Sequence, residues 1–158
     1  PRHVVKSVTP DELAFRLLDR DRKLRAVDLR GEEARKARPL PGAVAVPRAE
    51  LLGREWRGTF APRLVQKVFV AETEAEARTA ALLLVETGFE NVSFLEGGYP
   101  AFERTILTPG SPAGEPRFEA VVARFRDRAR TELAERVRLD REAGTAAPKK
   151  ARKVQGGC

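Results

Sequence analysis

The sequence predicts an α/β fold, in which a central parallel sheet is flanked by helices. Over residues 1–108, short apolar runs alternate with helical patterns, and the segments between them are short. Strands that follow one another through helical crossovers form parallel sheets, so this alternation indicates that class of fold. The chain has 158 residues, of which 42% are hydrophobic, and this is enough for one compact domain with an appended segment.

The first helix is predicted to begin after Thr9, a residue type that caps helices well. Pro10 takes the first helical position and Glu12 the third, which suits an N-terminal turn. Leu13 and Leu17 follow four residues apart and start the buried stripe of this helix.

Four apolar runs are predicted strands, and they cover residues 25–29, 43–47, 65–70 and 92–95. Between the last two, residues 74–87 predict a strong helix because they are rich in Ala and Leu, and Gly88 ends it. A turn at residues 39–42 precedes the second strand, and Gly97 and Gly98 end the fourth.

The composition changes after residue 108. Residues 109–116 are rich in Pro and Gly and predict a linker, and residues 117–142 predict a long amphipathic helix. Residues 143–158 contain small residues and cations, which predict a disordered basic tail.

The apolar residues of this last helix recur at steps of three and four and form one stripe: Phe118, Val121, Val122, Phe125, Ala129, Leu133 and Val137. Such a stripe needs a cover. It packs back on the domain, pairs with a second copy of the chain, or binds a protein partner, and the sequence leaves these alternatives open. The candidate binding residues are Phe118, Val122, Phe125 and Leu133.

The formal net charge of +7 lies mostly late in the chain. Residues 1–108 carry 18 basic and 16 acidic side chains, whereas residues 109–158 carry 12 and 7. A basic tail attracts acidic partners, whether protein, anionic membrane or nucleic acid. Nucleic acid is the weaker hypothesis, because the arginines are not interleaved with the aromatic residues of a stacking surface.

Composition also disfavours several kinds of site. No run of about 18 apolar residues predicts a membrane span, and the start of the chain lacks the apolar stretch of a signal peptide, so we expect a cytoplasmic protein. His3 and Cys158 are the single histidine and cysteine, so we expect no internal disulfide, no zinc site and no Ser-His-Asp triad. No metal and no cofactor is predicted.

Four motifs follow one another over roughly residues 7–104: Val8–Leu13, Val27–Arg30 with Glu32 and Glu33, Leu40–Pro47, and Thr87–Val92 with Leu95–Gly98 and Phe102. In order and spacing they resemble the rhodanese-like domains, with Phe102 where that family usually has Trp. The resemblance implies a central parallel sheet of about five strands. Gly42, Gly97, Gly98 and the pair Asp28 and Arg30 are predicted to support this fold.

The loop after the third predicted strand decides the chemistry. In active members of the family it reads Cys-x-x-Gly-x-Arg, and the cysteine thiolate takes up a sulfane sulfur inside a nest of backbone N–H groups. Here the segment is Ala71, Glu72, Thr73, Glu74, Ala75 and Glu76. Counting back from Gly88 assigns the cysteine position to Ala71, and a second register, which needs a shorter helix, assigns it to Thr73. Neither is a cysteine, so we expect no sulfurtransferase activity.

Three carboxylates in this loop, from Glu72, Glu74 and Glu76, oppose an anionic substrate but suit a helix N-terminus. Thr73 and Glu76 have the spacing of a capping box. A Mg²⁺ or Ca²⁺ site is disfavoured, since side chains spaced by two diverge there. A docking surface for a basic partner is the better alternative, and the chain's own residues 149–153 are one candidate.

The predicted function is therefore a catalytically inactive binding, scaffold or regulatory module in a protein complex. One alternative is a sulfur carrier or sulfurtransferase-related protein that uses Cys158, which ends a Gly-Gly arm. The other is a nucleic-acid-associated protein that binds through its basic tail.

Overall fold

The structure is a computed structural model that describes residues 4–110 and 118–146, the side chains of the last two excepted. Its elements in chain order are β1 (Lys6–Val8), α1 (Pro10–Leu18), β2 (Leu24–Asp28), α2 (Glu32–Ala37), β3 (Val44–Ala45), α3 (Arg57–Phe60), β4 (Gln66–Val70), α4 (Glu74–Glu86), β5 (Val92–Leu95), α5 (Gly98–Phe102) and α6 (Glu119–Ala146). A π-helical turn, Glu103–Leu107, follows α5 directly.

The five strands form one sheet in the order β1-β5-β4-β2-β3, and every pair in it is parallel. This confirms the predicted α/β class and the expected strand number. Helices cover both faces of the sheet. Neighbouring residues of a strand point to opposite faces, so one strand contributes to the core on each side. In β4, Val68 and Val70 belong to the core under α1, α5 and α6, whereas Phe69 belongs to the core under α3 and α4.

The predicted caps and strands agree closely with the structure. The side chain of Thr9 accepts a hydrogen bond from the backbone N–H of Glu12 at 3.2 Å and caps α1. β5 has the predicted bounds, and α4 ends one residue earlier than predicted, before Gly88 at φ +100°. β3 is shorter than predicted, with only Val44–Ala45 in the ladder.

Helix α6 folds back on the domain. Ala129 and Leu133 are buried in the core beneath it, at 0% and 2% exposure. The Arg126 guanidinium donates two hydrogen bonds to the Asp11 carboxylate of α1, at 2.9 and 2.8 Å. Arg136 donates to the backbone carbonyls of Leu17 and Leu18, at the end of the same helix. The domain therefore covers the middle of the predicted stripe.

This packing corrects one candidate binding residue. Leu133 lies in the core of the chain itself, so it is not part of a surface that a partner reaches. The start of the stripe is different, since Phe118 and Val121 are 52% and 58% exposed. Phe125 lies between these states, half-buried against the ring of Phe15 with 6.3 Å between ring centroids.

The segment bounds after residue 108 also differ from the prediction. The helix was predicted to end at residue 142 but extends to Ala146, because a single glycine inside a helix costs only about 1 kcal/mol relative to alanine. Most of the predicted linker and of the basic tail, including Cys158, lies outside the described residues. Within the described ranges, no helix is both long enough and apolar enough to cross a membrane.

Candidate functional site

The loop that carries the candidate site lies at the carboxyl edge of the sheet, between β4 and α4. It has three residues, since β4 ends at Val70 and α4 begins at Glu74. Ala71 is 1% exposed, and its carbonyl accepts a hydrogen bond from the backbone N–H of Tyr99 at 2.8 Å. The position assigned to the family's nucleophile is thus buried, and its side chain has no reactive group.

Thr73 caps the helix that follows this loop. Its hydroxyl accepts the backbone N–H of Glu76 at 3.2 Å, which is the first half of the predicted capping box. The carboxylate of Glu76 pairs with Arg48 at 3.3 Å instead of completing the box. Thr73 therefore acts as a cap in the structure.

Glu74 joins the loop to the neighbouring turn. Its carboxylate accepts the backbone N–H of Gly97 at 3.1 Å and a hydrogen bond from Arg78 at 2.7 Å. Glu72, Glu74 and Glu76 are all half-buried. Two of the three predicted docking carboxylates thus have partners within the chain, which reduces the charge that they offer to a basic partner.

Gly98 is required by a close approach between two backbones. A Cβ atom on this residue would lie 3.0 Å from the carbonyl carbon of Thr73 and 3.1 Å from the carbonyl oxygen of Ala71. Its φ of +68° is also left-handed, and Gly97 and Gly42 have φ of +74°. All three glycines therefore have backbone conformations that residues with a Cβ atom rarely adopt.

The predicted pair of Asp28 and Arg30 forms beside the loop. Both residues are 3% exposed, and the guanidinium donates to the two carboxylate oxygens at 3.1 and 2.9 Å. Arg30 also donates to the carbonyl of Arg38 at 2.7 Å, and it lies 3.7 Å from the ring centroid of Tyr99. Arg30 of this pair therefore packs on the ring of Tyr99, and the backbone N–H of Tyr99 donates to the carbonyl of Ala71.

Tyr99 is a part of the site that no motif in the sequence predicted. Burial raises the pKa of its phenol, so the hydroxyl stays protonated at neutral pH. Arg38 lies on the outer side of the same ring, 5.4 Å from its centroid, and a hydrogen bond to Glu103 raises its pKa. The one available signal was an aromatic residue directly after the glycine pair that ends the fourth predicted strand.

The chain's own oxygen atoms occupy three backbone amides around the loop. The Glu74 carboxylate accepts a hydrogen bond from the N–H of Gly97, and the Thr73 hydroxyl accepts one from the N–H of Glu76. The Ala71 carbonyl accepts one from the N–H of Tyr99. Among the described residues, no three His, Cys, Asp or Glu side chains are grouped so as to hold a metal ion. The arrangement fixes the loop to the sheet edge, and residues 71–76 contain no thiol.

A family model for the rhodanese-like domain matches residues 9–105. The fold is similar to a single-domain sulfurtransferase of Saccharomyces cerevisiae, with 21% identity, 65% of this chain and 91% of that chain covered, and a TM-score of 0.54. It is also similar to a rhodanese-like domain protein of Staphylococcus aureus (23% identity, 62% and 91% covered, TM-score 0.54).

A rhodanese-related protein of Thermoplasma volcanium has a similar structure as well (15% identity, 61% and 89% covered, TM-score 0.51). No curated protein sequence matches the chain. At these identities the solved structures show a similarity of fold alone. The family model, by contrast, covers more than half of the chain. With its four motifs, its five-stranded parallel sheet and this match, the chain belongs to the rhodanese-like domain family.

Proposed function

We propose that this rhodanese-like domain is catalytically inactive in sulfur transfer and acts by binding a protein partner. The observation that carries the proposal is the segment from Ala71 to Glu76, which contains no thiol. Its first residue is buried, and the N–H of its last residue, Glu76, already donates to the Thr73 hydroxyl. A persulfide needs a thiolate inside a cradle of N–H groups, and this segment supplies no thiolate.

The electrostatics of the loop support the same proposal. Glu72, Glu74 and Glu76 bring three carboxylates to the place where an anionic sulfur donor would enter. Two like charges 4 Å apart repel by about 1 kcal/mol in water and about 4 kcal/mol at an effective dielectric constant of 20. Arg48 and Arg78 offset part of this repulsion, but each is already paired with one of the carboxylates.

The proposed docking surface is an exposed apolar face made by α1 and the start of α6. It comprises Phe15, Phe118 and Val121, which are 59%, 52% and 58% exposed, with half-buried Phe125 between them. Single exposed apolar side chains are ordinary, whereas a group of adjacent large ones is typical of protein interfaces. This apolar face takes the place of the longer stripe predicted from the sequence.

A sulfurtransferase assay tests the catalytic half of the proposal. The chain and its Cys158→Ser variant are given thiosulfate and cyanide, and thiocyanate formation is measured. We expect both to remain at background. Turnover by the parent chain that disappears in Cys158→Ser would instead establish the sulfur-carrier alternative.

A comparison of two variants tests the binding half. Tagged wild-type chain, a Phe15→Ser/Val121→Ser variant and a Leu83→Ser control are used to recover partners from the native host. Leu83 is also exposed, at 38%, but it lies on α4, away from the apolar face. We expect a partner that the control retains and the double variant loses, and identical recovery by all three proteins would contradict the docking surface.

A further inference from the structure

A strongly cationic cavity lies at the amino edge of the sheet, opposite the β4–α4 loop. It has a volume of about 300 Å³ and lies between the end of α1, the start of β2, the turn before β3 and α6. Five arginines line it: Arg16, Arg20, Arg22, Arg25 and Arg136. One carboxylate, that of Asp21, lines it with them. We call this the arginine cavity.

The internal partners of the arginine cavity leave most of its charge uncompensated. Arg16 pairs with Asp21 at 2.9 Å and also donates to the side chain of Gln66. Arg136 donates to two backbone carbonyls of α1, which fixes its guanidinium but does not neutralise it. Burial, followed by the positive charge of Arg20, lowers the pKa of Arg136, so these two cations lie close enough to repel each other; the carboxylates of Glu132 and Asp140 oppose this shift only in part.

The other three arginines, at positions 20, 22 and 25, are exposed, and none forms an ion pair with a carboxylate of the described residues. An Arg side chain has five N–H donors in a planar fork, which matches the oxygen atoms of a phosphate group. The cavity therefore presents several donors and a net positive charge to an incoming anion.

The backbone of Arg20 is a second, independent observation. It has φ of +52°, a left-handed conformation that a residue with a Cβ atom rarely adopts. The N–H of Arg20 donates to the carbonyl of Leu17 at 3.2 Å, and the N–H of Asp21 donates to the carbonyl of Arg16 at 3.1 Å. These two hydrogen bonds define a turn that usually carries glycine at the end of a helix. Such strained residues cluster at ligand sites.

Two neighbouring cavities extend the arginine cavity along the surface. One shares Arg20 and Arg136 with it and adds the carboxylate of Asp140, and the other shares Arg22 and Arg25. Their volumes are about 280 and 340 Å³. The described residues that line the three cavities include no aromatic side chain, so the surface has cations for phosphates but no platform for stacking bases.

We propose that the arginine cavity binds a short chain of phosphate groups, as in an oligophosphate or the phosphate end of a larger metabolite. Forked guanidiniums bind the phosphate oxygens, and the fixed Arg136 anchors one end. The site is separate from the β4–α4 loop and is independent of whether that loop catalyses sulfur transfer.

Titration calorimetry of the full chain with inorganic tripolyphosphate tests the proposal. We expect saturable binding that weakens as salt is added, and weaker binding of inorganic orthophosphate. The Arg20→Gly variant removes one cation and also relaxes the left-handed turn, so the variant keeps its fold. We expect it to bind tripolyphosphate about tenfold more weakly than wild type, which corresponds to the loss of one charge-assisted hydrogen bond.

Arg25→Ala is a second variant, and we expect a similar loss from it. Arg54→Ala is the matched control, because it also removes one exposed arginine but lies outside the three cavities. Equal affinities for the wild type, Arg20→Gly and Arg54→Ala would overturn the proposal and assign any binding to the general charge or to the basic tail. Tighter binding of an oligothymidine strand than of tripolyphosphate, lost in Arg20→Gly, would replace it with a nucleic-acid site.

Discussion

Replacement of Leu133 by Ala tests whether α6 is an integral part of the domain. Leu133 is 2% exposed and lies in the same core as Ala129 and Ile106. The substitution removes three carbon atoms from the core, which lowers the transfer free energy by about 2.4 kcal/mol at about 0.8 kcal/mol for each. Leu to Ala changes in cores cost about 2–5 kcal/mol once the cavity that they leave is included.

The surroundings of Leu133 place the expected effect in the lower part of that range. This side chain also borders an open groove of about 570 Å³ between α6, α5 and the turn before β3. A site beside such a groove can relax or admit water, so the cavity that is left is smaller than in a closed core. We expect a loss of about 3 kcal/mol in the free energy of unfolding, or about 9 °C in Tm for a chain of this length.

Urea denaturation followed by circular dichroism measures this loss. The control is Leu139→Ala, on the same helix but 47% exposed, which we expect to change stability by no more than about 0.5 kcal/mol. If the two variants have the same midpoint, α6 is not packed on the domain as the structure shows, and the reasoning that limits the docking surface to the apolar face fails.

Three other perturbations test contacts that hold the sheet and the loop. Asp28→Asn leaves the buried Arg30 charge without its counter-ion, and we expect a loss of about 3–5 kcal/mol in urea denaturation, with a loss below about 1 kcal/mol as the contradicting result. Gly98→Ala brings a Cβ against the Thr73 backbone, so it should cost at least about 1 kcal/mol more than Gly42→Ala, which has a similar φ but open space; equal costs would contradict the close approach. Burial lowers the pKa of Lys67 below its ordinary 10.5, so the unfolded chain binds more protons than the folded chain between the lowered value and 10.5. The free energy of unfolding of wild type, relative to that of Lys67→Met, should therefore rise with pH across that window. A difference that is independent of pH would contradict this.

The sequence was sufficient for those elements whose signal is local. Thr9 and Thr73 cap their helices because the cap, the turn and the first apolar residue lie within a few positions of each other. The pairing of Asp28 with Arg30 is local as well, since one residue separates them in the chain. Family motifs then predicted which loop carries the site.

Elements with few buried residues could not be predicted in this way. β1 has three residues, of which only Val8 is buried, and its place at the sheet edge depends on pairing with β5, far away in the chain. α2 buries no residue, so no apolar stripe indicates it. Both elements depend on tertiary contacts more than on local propensity.

The site features that were missed come from contacts between distant segments. Glu74 bonds the amide of Gly97, and Glu76 pairs with Arg48, so two predicted docking carboxylates have partners within the chain. The arginine cavity joins the end of α1 to Arg136, more than a hundred residues later. Spacing along the chain carries no information about such pairs, because they depend on how α6 packs.

Intact-mass measurement after incubation with thiosulfate is the most direct test of the central claim, that this rhodanese-like domain does not carry sulfur. The single thiol, Cys158, is the one cysteine at which a persulfide can form. We predict an unchanged mass for the full chain. A gain of one sulfur atom that cyanide removes as thiocyanate, and that Cys158→Ser never acquires, would contradict the account and make the chain a sulfur carrier.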